Sequence, residues 1–227
     1  MDLNRVKKID RLVSVRNVLI SVADKSGLED FINGLVSLCP DIRFYSTGGT
    51  YKAIEKILAE DAKNRLIAVS DYTGQPEMQG GLVKTLDFKI YMGLLSETYN
   101  PAHQDDLKRT GSVIFDMVVV NLYPFEETVS DENASLEDGR THIDIGGPCM
   151  LRASAKNFLR VASVSSISQY KKVLSDIEKN NGALSYEMRL ELAGETFKRT
   201  AGYDAAISDF LIKKASSFEE SPYSEDV

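Results

Sequence analysis

Histidine and cysteine are both scarce, with two of each in 227 residues. His103, His142, Cys39 and Cys149 are far apart and share no ligand-like spacing. A protein-built transition-metal site is therefore not expected, and neither is a disulfide framework; two reduced thiols fit a cytoplasmic protein. No apolar run approaches the roughly 18 residues of a membrane span, so no membrane partner is expected. The N-terminal stretch MDLNRVKKIDRLVSVRN is basic but has no apolar centre, unlike a secretory signal. Positive charge is also in deficit, with 27 Lys and Arg against 34 Asp and Glu and a net charge of −7. That argues against a broad nucleic-acid surface and leaves room for a local basic pocket for one phosphate. No internal repeat and no linker divides the chain.

What is present alternates between apolar runs and amphipathic stretches. Hydrophobic residues are 43% and charged residues 27% of the chain, enough to bury a real core. Asn17 to Val22 (NVLISV) suits a strand buried on both faces. Leu28 to Leu38 sets Phe31, Ile32 and Leu35 at helical spacing, and Pro40 ends it. Ile42 to Tyr45 predicts a second strand, Tyr51 to Ala59 a helix and Leu66 to Val69 a third strand. Phe88 to Leu95 suits a strand or a short helix. Asn100 to Gly111 predicts a helix with Asn100 as N-cap and Pro101 at its first position. Phe115 to Val120 is the plainest buried strand, and Val161 to Val164 is the last. Helices are expected over Ser168 to Asn180 and Tyr186 to Ala215, with a polar surface excursion over Glu126 to Arg140. The pattern is α/β, with repeated strand–loop–helix units in a parallel sheet. Residues 1–215 read as one domain with a basic N-terminal extension, and 216–227 as an acidic flexible tail.

Ligands of open parallel sheets bind at the carboxyl ends of the strands, where the polar loops of this chain fall. Asp24-Lys25-Ser26-Gly27 follows the first strand. Ser46-Thr47-Gly48-Gly49-Thr50 follows the second and opens a helix. Its hydroxyls, glycine amides and helix dipole suit a phosphate, and Lys25, Lys84 and Thr85 could add charge-assisted bonds. The loop is neither a Walker A motif nor G-x-G-x-x-G, and a tight connection to a capped helix explains its glycines equally well. Asp144 to Asn157 reads DIGGPCMLRASAKN. Gly146 and Gly147 allow close backbone approach, Pro148 suits the first helical turn, and Arg152 and Lys156 share a helical face. A capped surface helix fits that local pattern as well. The argument for a site is convergence: four loops at one sheet edge carry polar groups a core does not need. Asn121, Tyr123, Asp144 and Lys156 are expected to face one crevice, and His103 and His142 to be surface residues.

In order and spacing, the pieces ISVADKSGL, STGGT, SDYTGQPEM, GGLVKTL, NPAH, VVVNLYPFE, IDIGGPCMLRASAKN and TAGYDAAISDFL resemble the IMP cyclohydrolase domain of the bifunctional AICAR transformylase/IMP cyclohydrolase family. The resemblance runs from Asn17 to Leu211. It implies a methylglyoxal-synthase-like fold, three layers with helices on both faces of a parallel sheet plus C-terminal helices. The implied reaction is ring closure of 5-formamidoimidazole-4-carboxamide ribotide (FAICAR) to IMP with loss of water, the last step of de novo purine biosynthesis. The implied partners are that ribotide and a second copy in a homodimer; the family's larger formyltransferase domain lies outside the match, which leaves open a stand-alone cyclohydrolase served by a separate AICAR transformylase or a fragment of a longer protein. No cofactor or metal is implied. By resemblance, Ser21, Lys25, Ser46, Thr47, Gly48, Gly49, Thr50 and Thr85 hold the substrate on its phosphate side. Asn121, Ile145 and Gly146 hold the base and carboxamide. Lys84, Tyr123, Asp144 and Lys156 are the implied catalytic groups, with Asp144 taking the amide proton.

Departures from the family pattern cluster in one loop. The family's G-R-V-K-T-L-H-P has Leu82 in place of arginine, Asp87 in place of histidine and Phe88 in place of proline. Tyr91 replaces a second histidine and Ala23 a serine. Loss of one charged hydrogen bond, worth roughly 1.5–3 kcal/mol, lowers expected phosphate affinity by about tenfold or more. The alternative is a non-catalytic purine-nucleotide-binding module on the same fold; a methylglyoxal-synthase-like lyase lacks its histidine-rich site here.

Overall fold

The computed structural model describes residues 5–75, 84–123, 125–129, 134–216 and 223. Short apolar runs make the strands. A minor strand, β1 (Leu12–Ser14), is followed by the main-sheet strands β2 (Asn17–Val22), β3 (Arg43–Ser46), β4 (Leu66–Ala68), β5 (Met117–Asn121) and β6 (Ala162–Val164), and by β7 (Ala183–Ser185). The main sheet is parallel in the order β4-β3-β2-β5-β6. Alternate residues point to opposite faces of a strand, so the sheet divides the core in two. Val18, Ile20, Val22, Phe44, Met117 and Val119 face one side. Leu19, Tyr45, Val118 and Val120 face the other.

Helices cover both faces. α1 (Leu28–Leu38), α2 (Gly48–Leu58) and the short α3 (Ala62–Arg65) pack on the first core. α4 (Val69–Thr73) and α5 (Phe88–Leu95) pack on the second, and α6 (Pro101–Thr110) follows with Asn100 as N-cap. The excursion after β5 forms two short helices, α7 (Phe125–Thr128) and α8 (Leu136–Thr141), the latter held by a Ser135–Asp138 capping box. α9 (Gly146–Lys156) lies on the second face and α10 (Tyr170–Lys179) on the first. The long α11 (Tyr186–Ser216) passes the β6 edge, placing Leu192 in the first core and Tyr203 and Phe210 in the second.

The expected parallel α/β architecture is present, with local differences that have physical causes. α2 starts at Gly48 rather than Tyr51, because Thr47 is extended and the two glycines form the first turn. β5 starts at Met117, one residue after Asp116, whose carboxylate accepts from the N–H groups of Arg16 and Asn17 at 2.9 and 3.0 Å. Phe88 to Leu95 is helical, capped by Asp87, which accepts from Lys89 N at 2.8 Å. The antiparallel β1–β7 pair was not expected. Leu82 lies outside the described residues.

Packing leaves no room beside Gly93. A Cβ there meets Val113 O at 2.0 Å and Phe115 Cδ2 at 2.9 Å. Gly93 O also accepts from Phe115 N and from the buried Arg160 guanidinium. Gly93→Ala is expected to cost about 1–3 kcal/mol of stability, since the obstructing atom is backbone and cannot swing aside. Chemical denaturation of the variant checks this; an unchanged midpoint means the α5–β5 contact can relax.

Candidate active site

The carboxyl ends of β2, β3 and β5 open onto a cleft of about 570 Å³, which adjoins a second hollow of about 410 Å³. The two share Thr47, Gly48, Gly49 and Lys84. Their size is that of a small-molecule site. The shared wall is the N-terminus of α2. Thr47 caps this helix with no side-chain hydrogen bond, and no acidic residue sits in the first turn. The first N–H groups of a helix have no partner within it and carry the positive end of its dipole. Gly48 has φ of 49°, a left-handed backbone suited to glycine. A Cβ on Gly48 would lie 3.5 Å from Lys84 Nζ, and one on Gly49 would lie 3.9 Å from Lys25 Nζ. Two ammonium groups therefore flank two bare glycines at a helix N-terminus, an arrangement fit for a phosphate.

Across the cleft stands Asp144, one residue before the α9 N-cap, Ile145. Its Oδ1 accepts from Gly147 N at 2.9 Å, and its own N–H donates to the Tyr203 hydroxyl at 2.7 Å. Burial pushes the carboxyl above the usual carboxylate range, and backbone N–H groups of Gly147 and Gly146 oppose that in part. Gly147 admits no side chain, because a Cβ would lie 2.3 Å from Asp144 Oδ2. Gly146 is equally constrained, with a Cβ falling 2.5 Å from Thr85 Oγ1. Both glycines thus let α9 begin directly against the carboxylate and the Thr85 hydroxyl. Tyr123 and Ile145, 58% and 54% exposed, form the mouth, and Ser21 lines the floor. Among the described residues, no group of three or more His, Cys, Asp or Glu side chains is placed to hold a metal ion.

Comparison with known proteins gives the family of the chain. The model of the MGS-like domain matches residues 27–149, more than half of the chain and most of the cleft. The chain belongs to the MGS-like domain family. A second model, the AICARFT/IMPCHase bienzyme, matches residues 154–226. The bifunctional purine biosynthesis protein PurH of Brachyspira hyodysenteriae is 42% identical over 206 residues, covering 91% of this chain and 39% of that protein. PurH of Bradyrhizobium diazoefficiens is 46% identical over 197 residues, covering 87% and 36%. The chain thus spans under two fifths of the length of these curated relatives. The crystal structure of ForH superposes with a TM-score of 0.71 at 30% identity, covering 87% of this chain and all of that one.

In this MGS-like domain the cleft gathers most of the expected residues, but not all, and not all in the expected manner. Ser21, Lys25, Thr47, Gly48, Gly49, Thr50, Lys84, Thr85, Asn121, Tyr123, Asp144, Ile145 and Gly146 line the larger cleft, and Ser46 the smaller hollow. Lys156 does not join them. It ends α9, about 15 Å from the helix start at 1.5 Å per residue, and lines a separate hollow with Arg5, Lys7 and His103. Its helical face is turned away from the cleft: Arg152, one turn earlier, sits 5.4 Å from the Phe197 ring centre on α11.

Three of the expected ligand-binding side chains already have partners within the protein. The Asn121 Oδ1 accepts from Ala23 N and Asp24 N at 2.6 and 3.0 Å, and its Nδ2 donates to Asp24 O at 2.7 Å. Asn121 therefore shapes the Lys25 loop and keeps one N–H for other use. The Ser46 hydroxyl donates to Ile20 O, and Thr50 Oγ1 both accepts from Val22 N and donates to Val22 O. These hydroxyls join β3 and α2 to β2, leaving the backbone around them to meet a ligand. His142, expected merely at the surface, lines the cleft. Its Nδ1 lies 2.8 Å from Asp138 O, an acceptor only, which places the proton of the neutral ring on Nδ1. Its position two residues before Asp144 in one loop was the available signal.

Proposed function

We propose that this domain closes the ring of FAICAR to form IMP, with loss of water. The observation that carries the reading is a partly buried carboxylate, Asp144, facing a two-lysine phosphate cradle across one cleft. The cradle of Lys25, Lys84 and the α2 N-terminus takes the 5′-phosphate. The ring and its two substituents then lie toward Tyr123, Asp144 and Ile145. Holding the carboxamide against the formyl group in a near-attack conformer contributes several kcal/mol.

The carboxamide is a poor nucleophile until its proton is removed. As its nitrogen attacks the formyl carbon, the N–H proton passes to Asp144, whose raised affinity for a proton suits a base. The new C–N bond forms while the formyl oxygen gains negative charge. Lys84, which borders both hollows, and the Tyr123 hydroxyl line the cleft as donors for that oxygen. The oxygen takes up one proton to give a ring hydroxyl; a second proton on that hydroxyl, loss of the former formamide N–H proton and cleavage of the C–O bond then release water, form the ring C=N bond and leave IMP. Lys156 has no part in this scheme. The reading carries with it the homodimer implied by the resemblance and the cytoplasmic location that two reduced thiols suggest.

Lys25→Ala is expected to weaken IMP binding by about tenfold or more, the value of one charged hydrogen bond. Calorimetric titration measures it; affinity within twofold of the parent moves the phosphate elsewhere. The reaction itself is tested by incubating the purified chain with FAICAR and recording the ultraviolet spectrum of IMP against an enzyme-free control. Turnover supports the reading. IMP binding without turnover favours the non-catalytic nucleotide-binding module.

A further inference from the structure

The loop that carries Asp144 is tied to α11 by a tyrosine hydroxyl. Tyr203 on α11 is 9% exposed, and its oxygen has two bonds of opposite sense. It accepts from Asp144 N at 2.7 Å and donates to His142 O at 3.3 Å. No group lacking both a lone pair and a proton can do this, so phenylalanine cannot replace it. The ring is held in turn. It meets Phe125 edge-on at 6.1 Å, and Phe125 meets Phe210 at 5.7 Å. Phe210 lies so close to the α8 backbone that a Cβ on Gly139 would fall 2.1 Å from its Cε1. The aromatic row from α11 thereby underlies the helix leading into the loop and the residue two beyond Tyr123.

We propose that Tyr203 is a positioning residue: its hydroxyl fixes the His142–Asp144 backbone so that the Asp144 carboxylate stands where the proton must be taken. The proposal rests on the ring-closure reading and adds a residue to it. The hydroxyl touches only main-chain atoms of the loop, so its effect reaches the chemistry through the placing of that loop and of the Asp144 it carries. Without it the Asp144 N–H loses its partner, and the loop is free to shift by a fraction of an ångström. A misplacement of about 1 Å can cost on the order of a hundredfold in rate. Substrate affinity, set by the cradle on the far wall, is left alone.

Tyr203→Phe and Phe210→Leu are compared with the parent. Phe210→Leu loosens the same aromatic row and leaves the two bonds in place. Tyr203→Phe is expected to lower kcat for FAICAR closure by about tenfold, with KM within about twofold. Hydrogen exchange at the Asp144 amide is expected to quicken by about tenfold. Phe210→Leu is expected to lower the melting temperature at least as much, with kcat within about twofold of the parent. Equal kcat losses in the two variants, or an unchanged kcat in Tyr203→Phe, overturn the positioning role and leave the ring-closure reading standing. A parent that binds IMP but does not turn over removes the ring-closure reading and the catalytic half of the proposal together. Unchanged exchange at the Asp144 amide overturns the clamp whatever the reaction is.

Discussion

Asp144→Asn is expected to lower kcat for ring closure by about 10²–10⁴-fold, the range of a lost general base. The amide has the same shape, and its oxygen can still accept from Gly147 N, the bond that Oδ1 makes at 2.9 Å. It cannot take the carboxamide proton. The fold and the affinity for IMP are therefore expected to stay close to those of the parent, which circular dichroism and calorimetry check alongside the kinetics. The pH dependence follows from the same group. Burial raises the Asp144 carboxyl above the ordinary carboxylate range, and the ionised form is the base. Activity is thus expected to rise with pH through that raised value, and to fade on the acid side earlier than an exposed carboxylate would dictate. Near-parent turnover by Asp144→Asn would remove the residue from the chemistry.

Arg189→Met is expected to destabilise the fold by about 3–5 kcal/mol, because it leaves buried acceptors without a charged donor. Arg189 is fully buried on α11. Its guanidinium donates to Leu184 O and Asp10 O at 2.6 and 2.7 Å, and to Phe158 O and Leu159 O, both at 3.1 Å. Three separate segments converge on it: the N-terminal strand region, the α9–β6 connection and β7. Methionine fills much of the space and satisfies none of these carbonyls. A fall in the urea midpoint at constant denaturant slope is the expected result. A change below about 1 kcal/mol would mean that water replaces the guanidinium at those carbonyls.

The parts of the fold that were legible in the sequence are those where one local signal dominates. NVLISV and MVVVN are buried on both faces of the sheet, and continuous apolar runs announce such strands. The loop that opens α2 was legible from its hydroxyls and glycine pair, while the helix itself begins at Gly48, three residues before the expected Tyr51. β1 and β7 were not: three residues each, Leu-Val-Ser and Ala-Leu-Ser, give no period, and their pairing depends on a partner about 170 positions away.

Lys156 shows that proximity in sequence is not proximity in space. Twelve positions after Asp144, it sits at the opposite end of a helix whose first turn meets the cleft. Asn121 shows the reverse case. Its register partner on β2 is Val22, so its side chain meets the next two residues, Ala23 and Asp24, before any ligand. That follows from a parallel register which the sequence does not state. Arg189 and Tyr203 were invisible for a related reason. Each lies in a helix and acts on backbone carbonyls and amides of distant segments, which have no sequence signature.

The rate of IMP formation from FAICAR, followed in the ultraviolet across the acid-to-neutral range for the parent and Asp144→Asn in parallel, tests ring closure by Asp144 most directly. A parent rate that climbs with pH through one ionisation, beside a flat and near-background rate for Asp144→Asn, is the predicted result. Parent and variant rates that coincide at every pH would contradict it.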